Sequence, residues 1–233
     1  MLQSIKDLYG HSLSALDGPI GHVKDFYFDD QNWAVRYLIA DTGDWLSGRL
    51  VLLSPHSLVA IDQDKKHVSV NLTKEQIENS PSIDTHKPVS RQYEEEYYRY
   101  YGWPYYWHGD GLWGMSGFPV LEVPVSDLPG ELPFAMVPPV RPADSHLRSM
   151  RAVDGYDIQA NDGTLGHVSD FIMEPKYWAV RFLRIKTGIW PLGKEVQIPI
   201  NVVSKICYEN SKVTVNMTME GIEQSSDSDP KVA

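Results

Sequence analysis

The chain has 233 residues, with 31 acidic against 21 basic side chains and a formal charge of −10 at pH 7. That balance argues against a nucleic-acid binder, which needs a basic footprint, and offers no attraction to anionic lipid. The single cysteine, Cys207, excludes disulfides and cysteine metal clusters. With no apolar leader and no run approaching about 18 apolar residues, a cytoplasmic chain without membrane association is expected.

In chain order, LDGPIG places Asp17 and Gly18 at a tight turn feeding a strand. HVKDFYF, a turn at DDQN and WAVRYLIA then read as a hairpin, followed by strands near residues 49–53, 58–61 and 66–72. Thr73, with Gln76 three positions on, has the spacing of a helix capping box. The same series returns later. Gly21 recurs as Gly166, an offset of 145 that holds without a gap from Ser4/Ser149 to Asp84/Asp229. The chain therefore divides into a first repeat (1–84), an insert (85–148), a second repeat (149–229) and a tail (230–233). Each repeat has the strand content of a small, bent β-barrel ending in a short helix, and closure would remove exposed sheet edges.

The hairpin makes a specific expectation. With its loop centred between Asp30 and Gln31, Asp25 falls opposite Arg36, and Asp170 opposite Arg181. Such facing charges are structural ion pairs worth up to about 1 kcal/mol. Pairing Asp25 with His22, or Asp170 with His167, for acid–base chemistry conflicts with strand geometry, because residues three apart point to opposite faces.

The insert has no counterpart elsewhere. From Tyr93 to Trp113, ten of 21 residues are aromatic. Tyr93, Tyr97, Tyr100 and Tyr101 follow helical spacing, which predicts a short helix near 91–101 with Ser90 as cap and Gly102 as stop. Beyond it, the glycine-rich GDGLWGMSG reads as loop, and the proline-rich residues from Glu122 onward as extended chain. The candidate surface comprises Tyr93, Tyr97, Tyr100, Tyr101, Trp103, Tyr105, Tyr106, Trp107 and Trp113, joined by Trp45 and Trp190 of the repeated T-G-x-W. Three readings fit it: an internal clasp over both repeats, a surface for a protein partner or a second copy, or docking at a membrane interface, which the glutamate run disfavours.

The repeat resembles the PRC-barrel family, named after the H subunit of photosynthetic reaction centres. The resemblance rests on DGPIGHVKDFYFD with WAVRYLIADTG, on DGTLGHVSDFIME with WAVRFLRIKTG, and on TKEQIENSP and TMEGIEQSS at the ends. It implies two non-catalytic barrels of the kind found in reaction-centre H subunits, in a ribosome-maturation factor and in stand-alone bacterial proteins. The chain differs from the first in having no amino-terminal membrane helix, and from the second in having no separate amino-terminal domain. Fold is implied here more firmly than function.

No phosphate loop, dinucleotide fingerprint, nucleophile elbow or zinc-protease signature occurs. Of eight histidines only His22 and His167 recur, and His108 with Asp110 gives two potential ligands, which is no metal motif. The expectation is a non-catalytic interaction or scaffold module without catalytic residues, cofactor or metal, its protein partner unknown, with a homodimer plausible through surplus aromatics. Two alternatives stand beside it: an accessory of a membrane-bound photosynthetic or electron-transfer assembly, and a small-ligand protein with a pocket between the barrels.

Overall fold

The computed structural model describes residues 2–81, 89, 91–120, 147–188 and 194–225. Ser90, Trp190, the proline-rich 121–146 and the tail lie outside the described residues, so the readings placed on them carry no structural account. The protein is mainly β. The first repeat runs β1 (Gln3–Ser4), β2 (Ser12–Ala15), β3 (Gly18–Asp29), β4 (Ala34–Asp41), β5 (Leu50–Leu53), β6 (Leu58–Asp62), β7 (His67–Val70) and helix α1 (Lys74–Glu78). Helix α2 (Arg91–Tyr101) belongs to the insert. Then follow β8 (Leu147–Ser149), α3 (Met150–Val153), β9 (Asp157–Ala160), β10 (Gly163–Glu174), β11 (Ala179–Lys186), β12 (Glu195–Pro199), β13 (Val203–Cys207), β14 (Lys212–Val215) and α4 (Met219–Gln224).

Local chemistry explains the repeated turns. Thr73 Oγ1 accepts from the Gln76 amide (3.2 Å) while Gln76 Oε1 accepts from the Thr73 amide (2.8 Å), completing the capping box on α1. Asp17 Oδ1 also accepts from the Lys74 amide, and Asp162 Oδ1 from Met219, so the aspartate of each D-G pair ties its hairpin to its helix. Gly21 and Gly166 are required where β3 and β10 bend. A Cβ at Gly21 would stand 1.9 Å from the Asp41 carbonyl oxygen, and one at Gly166 2.1 Å from that of Lys186, with φ positive at both.

The strands form one path in the order β13-β14-β9-β10-β11-β4-β3-β2-β7-β6, with β1, β5, β8 and β12 as side branches. This corrects the expectation of closed barrels. Among the described residues β5 pairs only with β4 and β6 only with β7, so neither repeat closes on itself and the path ends at two edge strands. The two halves instead interlock reciprocally. β1 pairs with β10 of the other half (Gln3 opposite Met173), and β8 pairs with β3 (Arg148 opposite Phe28). The hairpin tips also meet, the Val35 amide donating to Trp178 O at 2.8 Å and the Val180 amide to Trp33 O at 2.7 Å. One apolar core spans both halves, from Ile5 and Phe26 to Phe171 and Ile198.

Candidate functional site

The expected ion pairs are not formed as drawn. Arg36 bonds Asp29 at 3.1 Å, and Arg181 bonds Glu174 at 2.8 Å. The cause is register. The turn occupies residues 30–33 and ends in Trp33 with φ of 55°, and a bulge between Tyr27 and Phe28 leaves Arg36 without a directly opposed partner. The second hairpin repeats this, with Trp178 at φ 51° and a bulge between Ile172 and Met173.

Asp25 and Asp170 have a different task. Asp25 accepts from Ser149 Oγ (2.5 Å) and the Arg151 amide (3.2 Å). Asp170 accepts from Ser4 Oγ (2.6 Å) and the Lys6 amide (3.0 Å), with Arg184 at 3.3 Å. Each aspartate thus holds the leading arm of the opposite half. Burial raises both carboxyls above the usual range, and the bonds from serine and backbone amides pull the other way. The signal that could have exposed this exchange is the matched serine, Ser4/Ser149, at the start of each repeat.

The insert is built onto the first repeat. The α2 spacing puts Tyr93, Tyr97 and Tyr101 on one face, with Tyr97 stacked on Tyr93 (6.1 Å) and edge-on to Tyr101 (5.0 Å). Tyr97 Oη donates to Leu52 O (2.8 Å) and accepts from the Ser54 amide (3.2 Å), fixing the helix across β5. Tyr98, on the neighbouring face, is also buried and stands among Tyr37, Trp103, Tyr105, Tyr106 and Trp107. Trp103 lies flat on Tyr101 at 4.4 Å and stacks on His56 at 5.7 Å. Buried Glu94 accepts from Tyr37 Oη (2.9 Å) and Tyr106 Oη (2.7 Å). Burial, and then the Glu94 charge, push the Tyr37 phenol well above its ordinary range.

Arg36 joins the first repeat to the insert. It is 1% exposed, donates to Leu112 O at 2.6 Å, and lies 3.8 Å from the Tyr106 ring centre and 4.9 Å from that of Trp113. Trp113 Nε1 in turn donates to Tyr177 O in the second repeat's hairpin turn, at 2.8 Å. Trp45 stands apart from this cluster, its ring 4.9 Å from Lys74 Nζ. What the insert and its surroundings leave exposed is Met115 (92%), Phe118, Tyr100, Leu16 and Val59.

Two hollows adjoin these residues. One of about 450 Å³ lies between the repeats, bounded by Leu58–Ile61 and Gln63 on one side, Pro175, Lys176 and Trp178 on the other, with Gln3 and Pro119. The other, about 480 Å³, lies between the β7–α1 region and α2, lined by Leu16, His56, Tyr100 and Trp103 among others. His56 Nδ1 donates to Val120 O (2.8 Å), and burial lowers the ring's pKa while that bond pulls the other way. His108 lies edge-on to Tyr105 at 5.2 Å. Among the described residues no three His, Cys, Asp or Glu side chains gather into a possible metal site, and no helix is long and apolar enough to cross a membrane.

Compared with known families, residues 14–77 match the model of the PRC-barrel domain. No curated protein matches the chain.

Proposed function

We propose that the chain is a non-catalytic interaction module in which two PRC-type units, the matched first repeat and an equivalent second one, are locked into one body and present a shared surface. The observation that carries this reading is the division of the apolar side chains. Tyr97, Tyr98, Tyr106 and Trp113 are buried as a clasp, whereas Met115 and Phe118 remain exposed on the insert and Val59 in the lining of the cleft between the repeats. Apolar residues left outside a well-filled core are the usual material of a contact surface. A photocrosslinking amino acid placed at Val59 or Phe118 should capture protein in the native cell, while one at exposed Arg181 should not. Equal yields at all three positions would remove the reading.

The cleft also supports the small-ligand alternative, since its volume suits a compact molecule. Among the described residues its lining has one titratable side chain, Lys176, so the ligand class it favours is apolar and uncharged or singly anionic. Native mass spectrometry of the freshly isolated protein would detect such a ligand as a defined mass increment.

A further inference from the structure

The two ends of the strand path, β6 and β13, are the same position in the two repeats, yet their side chains differ. Ser204 and Lys205 of β13 stand where β6 has Val59 and Ala60. A lysine on an edge strand blocks pairing with another chain, because its charge would be stranded in the new ladder. β13 has that guard and β6 lacks it. Val59 is 56% exposed, and among the described residues no strand pairs with the outer edge of β6.

The surroundings differ in the same sense. Beside β13, Tyr208 donates to Asp30 Oδ2 (2.5 Å) with Arg148 3.9 Å from its ring centre, a polar and filled corner. The matching positions beside β6 are Gln63, Pro175 and Gln3, and there the cleft of about 450 Å³ stays open. One side of the molecule is charged and occupied. The other is held by the uncharged Gln63–Gln3 bond (2.5 Å) and, among the described residues, keeps its hollow.

We propose that β6 is a self-association edge: two copies of this chain pair β6 with β6, antiparallel about a twofold axis, extending the sheet from one molecule into the next. Charge favours a second copy as the occupant. A chain of −10 repels its like over most of its surface, whereas among the described residues β6 and the cleft lining carry only Asp62 and Lys176. An antiparallel twofold pairing sends the two Asp62 side chains to opposite ends of the ladder. Continuity points the same way, since Gln3 of β1, which joins the halves by pairing with β10, also lines the cleft. A twofold contact closes at two molecules, while β6 against β13 would propagate without end. Lys205 prevents that second arrangement.

The proposal deepens the interaction reading and rests on it. Full-length protein should elute with light-scattering mass of twice 26.4 kDa at micromolar concentration. The double change Val59→Ser/Ala60→Lys transfers the β13 edge to β6, side chains this fold already accepts at that position. It sets two lysines face to face and should weaken the dimer about a hundredfold or more, because facing like charges cost several kcal/mol. The reverse change, Ser204→Val/Lys205→Ala, leaves both edges bare and should give assemblies larger than a dimer. A wild-type monomer at all concentrations overturns the proposal, and so does a dimer that the Val59/Ala60 change leaves intact. A monomer whose Val59 crosslinks to a different protein overturns the dimer while the interaction reading stands.

Discussion

Arg36 and Arg181 occupy one position in the two repeats, and substituting each tests what the insert has done to the first of them. Arg36→Ala removes a guanidinium that is 1% exposed and bonded to buried Asp29, to Leu112 O and to two aromatic faces. Breaking a buried pair from one side costs about 3–5 kcal/mol, and a desolvated cation–π contact adds about 1–2. Asp29 keeps bonds from the Gln31 and Asn32 amides and from Asn32 Nδ2, which places the total near the lower end, about 4 kcal/mol. Arg181→Ala breaks an exposed pair with Glu174, worth less than about 1 kcal/mol. Urea unfolding at 25 °C, followed by tryptophan fluorescence, should separate the two by about 3 kcal/mol. In heating scans the first should lose about 8–16 °C and the second under about 4 °C, at about 2–4 °C per kcal/mol for a chain this size. Hydrogen exchange in Arg36→Ala should rise first over residues 103–113. Equal losses from the two substitutions would refute the argument that the insert is fastened through Arg36.

The two aspartates predict a pH dependence. Burial raises the carboxyl pKa of both Asp25 and Asp170, so the folded state holds protons that the unfolded chain releases near pH 4. Their contribution is therefore complete below about pH 4 and declines as pH rises through the raised values, and Asp25→Asn or Asp170→Asn should flatten that decline in urea titrations across the acid range. Gly21→Ala and Gly166→Ala, each driving Cβ into a backbone oxygen, should cost more than about 3 kcal/mol in thermal or urea unfolding. Gly10→Ala, where nothing lies within 4 Å, should cost about 1 kcal/mol from its positive φ alone. Tyr97→Phe leaves Leu52 O and the Ser54 amide unpaired in the core and should lose about 1–3 kcal/mol, against under about 0.5 for exposed Tyr100→Phe.

Strand content and the hairpin β3–β4 were legible because period-two patterning is local, and the capping box because its two bonds span three residues. The ion pairs were misread for an equally local reason. Counting across a hairpin assumes an unbroken ladder, and the four-residue turn with its bulge sets Arg36 beside Tyr27 and Phe28 with no residue directly opposite, so that its charge meets Asp29, four places from Asp25. A bulge residue carries no obligatory type, so nothing in WAVRYLIA announces it. The exchange of arms was hidden differently. Gln3–Ser4 is two residues long, too short for any periodicity, and pattern matching within a repeat says nothing about which half a strand will pair with. The insert was half legible: tyrosine spacing located α2, but which aromatics turn inward depended on Arg36 and Tyr37, a difference of surroundings that the sequence of the insert does not contain.

The reciprocal pairing explains how two repeats of marginal size make a stable body. A domain of this size buries a modest share of its surface, and an open sheet leaves more exposed. By lending its first strand to the other half, each repeat adds ladder bonds and a serine–aspartate contact that neither could form alone. The matched positions Ser4/Ser149 and Asp25/Asp170 serve that exchange, and Gly21/Gly166 serve the close approach of strands within each half. Selection for function is then free to act where the halves have parted: on Arg36, which holds the insert while Arg181 stays in water, and on the bare edge at Val59 and Ala60 opposite the guarded one at Ser204 and Lys205. A bare edge on one half and a guarded edge on the other make the two-repeat body directional, and that direction is what a single repeat could not supply.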